Sequence, residues 1–247
     1  MIKHIFLGIV QGLTEFFPVS SSGHLVVLQN LMGMRGEEMA LIVVLHLGTC
    51  LSLLMFFFKD ILEMLRNRKT MLFVIIVTVI TGIIALAGKG FFEKLFISPK
   101  YVGISFLITG MVIISTRKFM GSKRTTVELK DGVILGLAQG AAIVPGLSRS
   151  GLTISTLLFR KIERVSAFRL SFLAGLPAVL GAAILESRKI SSVLKTHGPE
   201  LTAGFVSSFI FGVIALWLLR SILKGGKFYY FAYYCFIAGL LTLIFVK

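Results

Sequence analysis

Two short polar strings interrupt an otherwise apolar chain, EFFPVSSSGH at residues 15–24 and VPGLSRSGLT at residues 144–153. The first holds a carboxylate, three consecutive hydroxyls and an imidazole: Glu15, Ser20, Ser21, Ser22 and His24. These types can supply a metal ligand, a nucleophile and an acid/base, and His24 titrates close enough to neutrality to take a proton from a serine or a water. The second sets Arg149 between Ser148 and Ser150, just after Pro145-Gly146-Leu147. A guanidinium is a planar fork suited to phosphate oxygens, and neighbouring hydroxyls and helix-start N–H groups add donors. Arg149 therefore reads as a diphosphate clamp. Gln11 and Glu15 are four residues apart and share a helical face. With substrate phosphates they can offer oxygen ligands to a hard divalent cation, Mg²⁺ or Ca²⁺. Simpler roles exist for the same residues: an arginine at a helix end can snorkel, serines can cap a helix, and a histidine can be a satisfied polar group. Ionisable groups at bilayer depth cost on the order of 2.5–3.5 kcal/mol each, however, so their clustering at two breaks favours a task. The two strings are read as one active site.

The elements that must position these residues are membrane helices. The chain has 247 residues, 56% of them hydrophobic and 15% charged, more apolar than an ordinary soluble domain. Uncharged stretches of roughly the 17–25 residues needed to cross a bilayer occur at 39–58, 70–88, 201–219 and 228–246. Residues 101–116 extend into their flanks, and 165–185 qualify if Arg169 snorkels at the end, which makes six expected spans. The N-terminal run resembles a signal peptide only superficially, because Gln11 and Glu15 interrupt it and no small-residue cleavage site follows. Cys50 and Cys235 fall inside expected spans, so burial rather than a disulfide is expected. The formal charge of +15 is scattered through short loops, which excludes a nucleic-acid-binding reading and points to membrane topology.

Residues 5–31 and 132–159 are apolar yet broken, at Pro18 with Gly23 and at Pro145-Gly146 with Gly151. Broken backbone survives at depth only inside protein or along a wet cavity, so two re-entrant helical hairpins are expected. An offset of 128 residues aligns Leu7, Gly8, Gln11, Gly12, Ser20, Ser22 and Gly23 with Leu135, Gly136, Gln139, Gly140, Ser148, Ser150 and Gly151. That identity implies an internal duplication. Three spans between the copies invert the second, giving an all-α polytopic protein: repeat 1 at about 1–116, repeat 2 at about 130–247, and a site near the midplane. Segments 59–69, 117–131, 160–169 and 220–227 carry sixteen Lys and Arg and fall on one side, against nine on the other. By the positive-inside rule the first hairpin opens outward, with both termini outside. His46 reads as a helix-packing residue, and His4 and His197 lie near span ends. The aromatic run at 228–231 with Tyr233 and Tyr234 suits an interfacial belt, and glycines such as Gly103, Gly175 and Gly212 suit close helix packing.

LGIVQGLTEFFPVSSSGHL and PGLSRSGLTIS resemble the two signature regions of the bacterial undecaprenyl-diphosphate phosphatase family linked to bacitracin resistance. HLGTCLSLLMFFFKD and RLSFLAGLPA extend the resemblance along the chain. It implies removal of one phosphate from undecaprenyl diphosphate, leaving the monophosphate carrier that bacteria recycle for peptidoglycan. It also implies a bacterial plasma-membrane location, six spans with two re-entrant regions in inverted repeats, and a homodimer as a family-level expectation. Carried over motif by motif, Glu15, Ser21, His24 and Arg149 are the catalytic positions. Gln11, Ser20, Ser22, Ser148, Ser150 and Thr153 support phosphate or metal, with Gln11 standing where some relatives carry glutamate. The SSSGH string is also similar to a motif of acid-phosphatase-like lipid phosphatases, but Ser155 stands where that superfamily needs a histidine after Arg149.

The expected mechanism has Arg149 and a divalent cation holding the diphosphate while the prenyl chain lies between helices. Ser21 attacks, activated by His24, with Glu15 orienting the base or holding metal. Attack by water or by His24 is an open route. Inverted repeats with broken helices also suit a secondary transporter or lipid flippase, which would move a polyprenyl phosphate without releasing phosphate.

Overall fold

A computed structural model describes residues 1–31, 39–95, 99–187 and 198–246. Arg35, Arg188, Lys189, Lys195, His197 and Lys247, named or counted above, lie outside them. The described chain is helical, in the order α1 (Ile2–Phe16), α2 (Ser21–Leu31), α3 (Met39–Phe56), α4 (Phe58–Arg66), α5 (Arg68–Ala87), α6 (Lys89–Leu95), α7 (Pro99–Ser115), α8 (Leu129–Ala141), α9 (Arg149–Phe159), α10 (Arg164–Ser187), α11 (Gly198–Lys224) and α12 (Phe231–Phe245). Five stretches are long and apolar enough to cross a membrane, and a sixth is added if α3 and α4 count as one bent span.

The interior is mainly apolar, and the surface is what departs from that of a soluble protein. Leu72, Ile75, Val79, Ile83 and Leu86 form an exposed stripe on α5, and Ile237, Leu240, Leu241 and Ile244 one on α12. Spacings of three and four residues put each set on one helical face, which lipid rather than water can cover. Inside lie Gln11, Ser52, Thr109, Asp131, Gln139, Ser148, Ser150, Thr153 and Ser171. Helix association in lipid relies on close backbone approach, and α1 runs alongside α11 on this principle. A Cβ on Gly12 would lie 2.7 Å from the Ser208 carbonyl oxygen.

One expected span differs from the sequence reading, and the span at 165–185 is present with its arginine in a different setting. The stretch at 39–58 breaks at Phe57, where α3 and α4 bend by 64°. Phe57 is buried against Phe168 and Phe172, while α4 carries Lys59, Asp60, Glu63 and Arg66 and turns away from the apolar path. Arg169 does not snorkel free: its Nε lies 2.6 Å from Asp60 Oδ1, and its Nη2 donates to Glu63. Charges on α4 thus hold a cation that the sequence placed at a lipid interface.

The four basic segments meet at one end of the bundle. Asp131, fully buried at the start of α8, accepts from Arg160 Nε at 2.7 Å, from the Glu128 backbone N–H at 2.9 Å, and lies 3.0 Å from Arg124 Nη2. Arg124 Nη2 also donates to the Arg160 carbonyl, and its own carbonyl accepts from the Glu163 N–H. Glu163 caps α10 by accepting the N–H groups of Val165 and Ser166. The open ends of α8 and α9 are therefore clasped together, while their connection reaches inward.

Candidate active site

The α1–α2 connection turns at Phe17-Pro18-Val19-Ser20, where Pro18 cannot continue the helix. Ser20 takes φ of 66°, a left-handed conformation that costs a non-glycine residue on the order of 1–2 kcal/mol. Local bonds hold it there. Ser20 Oγ accepts the Gly23 N–H at 3.3 Å, and the Ser20 carbonyl accepts His24 Nδ1–H at 2.7 Å. The α8–α9 connection is built alike. Ser148 Oγ caps α9 by accepting the Gly151 N–H at 3.1 Å, and Gly146 has φ of 87°. Thr109 on α7 satisfies the backbone freed by that break, donating to the Gly146 carbonyl and accepting the Ser148 N–H. Ser20 and Ser22 hydroxyls are 3.2 Å apart, as are those of Ser148 and Ser150.

The two connections touch. Ser150 Oγ donates to the Phe17 carbonyl at 3.1 Å, and a Cβ on Gly23 would lie 3.0 Å from Gly146 Cα. Their meeting places Glu15 at the centre of a polar cluster. Arg149 Nη2 donates to Glu15 Oε1 at 2.8 Å. Ser21 Oγ donates to Glu15 Oε2 at 2.6 Å, and Gln11 Nε2 donates to the same oxygen at 3.2 Å. Thr14, Glu15, Ser20, Ser21, Ser22, Ala142, Leu147, Ser148 and Arg149 line a cavity of about 60 Å³.

Several expected residues sit elsewhere. Both ring nitrogens of His24 bond groups other than Ser21; Nε2 pairs with the Tyr234 hydroxyl at 2.6 Å, and the ring stacks on Tyr234. The Ser20 carbonyl can only accept, so Nδ1 carries a proton, and Nε2 shares a hydrogen bond with the Tyr234 hydroxyl. Tyr234, assigned by sequence to an interfacial belt, is thus part of the site's support. Thr153 Oγ1 donates to the Arg149 carbonyl at 2.7 Å and pairs with Ser171 at 2.6 Å, so it braces α9 against α10 instead of lining the cavity. Ser150 is engaged in joining the two connections.

Two residues that the sequence suggests are packing groups also stand at the site. His46 Nε2 lies 3.8 Å from Glu15 Oε2, while its Nδ1 bonds the Ile42 carbonyl. Gly175 on α10 faces Arg149, whose Nη1 lies 2.6 Å from where a Cβ on Gly175 would sit. Both stand in stretches that carry the family resemblance, but no neighbouring residue marks their role, since the contact is made across the fold.

For a cation, Glu15 and Gln11 offer oxygen, and Gln11 Oε1 is buried with no hydrogen-bond partner among the described residues. No cluster of three His, Cys, Asp or Glu suited to a metal occurs among them. The donor set fits a hard cation only when substrate phosphate completes the shell. Two apolar grooves flank the site. One of about 380 Å³ is lined by Phe6, Val10, His24, Phe106, Tyr234 and Leu241 among others, and one of about 550 Å³ by Leu13, Thr14, Phe17, Ile222, Tyr230 and Tyr234 among others.

Residues 4–241 match the family described as Bacitracin resistance protein BacA. Similar proteins include an undecaprenyl-diphosphatase of Carboxydothermus hydrogenoformans, 40% identical over 97% of this chain and 95% of that protein. Others are undecaprenyl-diphosphatases of Halothermothrix orenii, 38% identical over 99% of this chain and 97% of the relative, and of Korarchaeum cryptofilum, 40% identical over 97% of both.

Proposed function

The chain belongs to the bacitracin resistance protein BacA family, and on that premise we propose that its two helix breaks form the site that takes one phosphate from undecaprenyl diphosphate. The chain is a multi-pass membrane hydrolase, an undecaprenyl-diphosphatase. The single observation that carries the site assignment is Glu15 holding both Arg149 and Ser21 across two connections that the chain brings together from 134 residues apart.

Arg149 exchanges Glu15 for the diphosphate, turning Nη2 to a non-bridging oxygen, with Ser148 and Ser22 hydroxyls beside it. Ser21 Oγ attacks the terminal phosphorus and its proton passes to Glu15 Oε2, which already accepts it at 2.6 Å. The bond between the phosphorus and the bridging oxygen breaks, and the lipid monophosphate leaves. Glu15 passes the serine proton to the departing monophosphate oxygen; water then attacks the phosphoserine, giving a proton to Glu15, which returns it to Ser21 Oγ as the serine P–O bond breaks and orthophosphate is released. In this scheme Glu15 replaces His24 as the base. His24 fixes the strained Ser20 turn that aims Ser21. A Mg²⁺ or Ca²⁺ held by Glu15 and Gln11 would supply charge neutralisation on the phosphate oxygens.

The hairpins are re-entrant and form an inverted pair, with repeat 1 at about 1–116 and repeat 2 at about 130–247. This is supported by the matching caps at Ser20 and Ser148 and by α1 ending at Phe16 beside Gly212, near the middle of α11. The prenyl chain lies along the apolar grooves by Tyr234. The basic end faces the cytoplasm and the site opens outward from the plasma membrane. Phosphate release from long-chain prenyl diphosphate by the detergent-purified chain, with Mg²⁺, Ca²⁺ or chelator, tests the reaction. Release supports it; lipid movement in vesicles without any release would establish transport instead.

A further inference from the structure

Gln139 on α8 is 2% exposed and is the repeat counterpart of Gln11. Its amide orientation is fixed by its neighbours. Nε2 lies 3.2 Å from Thr81 Oγ1 and 3.5 Å from the Ala174 carbonyl. A carbonyl only accepts, and the Thr81 hydroxyl hydrogen points to the Gly136 carbonyl, so Thr81 also meets Gln139 as an acceptor. Both contacts require the N–H end of the amide. Oε1 is thereby turned to the opposite side, where it is buried and has no hydrogen-bond partner among the described residues. A buried acceptor left unmade is unfavourable and calls for a reason.

The reason lies across Gly175. A Cβ at that residue would be 3.5 Å from Gln139 Oε1 and 2.6 Å from Arg149 Nη1, so both atoms face the same notch. We propose that Gln139 is a positioning residue, its carbonyl accepting Arg149 Nη1–H while Nη2 moves from Glu15 to the substrate phosphate. This rests on the diphosphate-clamp reading and deepens it. Without such an anchor, an arginine that releases Glu15 would keep only its flexible stem. The two repeats then supply one amide each, of opposite polarity: Gln11 gives an N–H to the carboxylate at 3.2 Å, and Gln139 offers a C=O to the guanidinium. Gly175 leaves the room in which that exchange happens.

The test is a double-mutant cycle read by calorimetric titration of inorganic pyrophosphate into the detergent-purified full chain. The four proteins are the unsubstituted chain, Gln139→Leu, Arg149→Lys and the double variant, with Gln139→Met replacing Gln139→Leu should the latter not fold. Lysine keeps the charge but has no fork to divide between notch and phosphate. Removing the Gln139 carbonyl should weaken pyrophosphate about tenfold when Arg149 is present and less than twofold in the Arg149→Lys background. Thr81→Val, which disturbs only the N–H end of the amide, should weaken it less than threefold. Equal weakening in both backgrounds, no weakening, or no pyrophosphate binding by the unsubstituted chain would overturn the anchor. Phosphate release from prenyl diphosphate is scored separately. Release with an uncoupled cycle removes the anchor alone, whereas a coupled cycle without release removes the enzymatic reading and leaves the anchor standing.

Discussion

At the residue scale the account turns on Glu15, which holds Arg149 and Ser21 on its two oxygens. Arg149→Lys keeps the charge but loses the fork, and removing one preorganised donor at a developing charge costs about 10²–10³ in kcat. A fall of that size in kcat, measured by phosphate release, is expected. His24 acts through the Ser20 carbonyl and not through Ser21. His24→Ala should therefore lower kcat at least tenfold by loosening the strained turn, whereas Tyr234→Phe, which removes only the outer partner, should lower it less than threefold. Steady-state kinetics on both variants checks the order; the reverse order would remove His24 from the support of the turn. The polar strings made Glu15, the serines and Arg149 legible in the sequence because their chemistry is local and out of place in lipid. His46, Gly175 and Tyr234 were not legible, because each becomes part of the site only through a contact made by folding.

At the element scale, the clasp at the base of α8 and α9 holds Arg149's helix in place. Burial alone would push the Asp131 carboxyl up, but hydrogen bonds from Arg124, Arg160 and the Glu128 N–H outweigh it and hold it below the usual carboxylate range. A carboxyl depressed in the folded state adds stability that is present above its unfolded value, near about 3.9, and is lost as pH falls through the lower folded value. Melting temperature should therefore drop below about pH 4 in the unsubstituted chain. Asp131→Ala should be destabilised near neutral pH by about 1–3 kcal/mol, as for lost hydrogen bonds to charged groups, and should lose much of that acid dependence. Thermal melting across pH reads both. Helix existence was legible from apolar length. The 64° bend at Phe57 was not, because it follows from Phe57 packing into Phe168 and Phe172 and from α4 charges reaching Arg169.

At the scale of the whole molecule, four basic segments converge at one end, and the two helix connections meet away from it. With Cys50 and Cys235 replaced, a Gly121→Cys label site in the loop before α8 should react with an impermeant maleimide only from the cytoplasmic side of sealed vesicles. Labelling from outside would invert the orientation drawn from loop charge. The internal match was legible as repeated residues, but the pairing of Glu15 with Arg149 was not, since neither has an identical counterpart in the other copy. The most direct measurement is phosphate release from undecaprenyl diphosphate by the purified chain beside Ser21→Ala and Arg149→Ala, each shown to be folded by thermal melting. The account predicts release by the unsubstituted chain and a loss of at least about a hundredfold in both variants. Unimpaired release by either folded variant would contradict the assignment of this site.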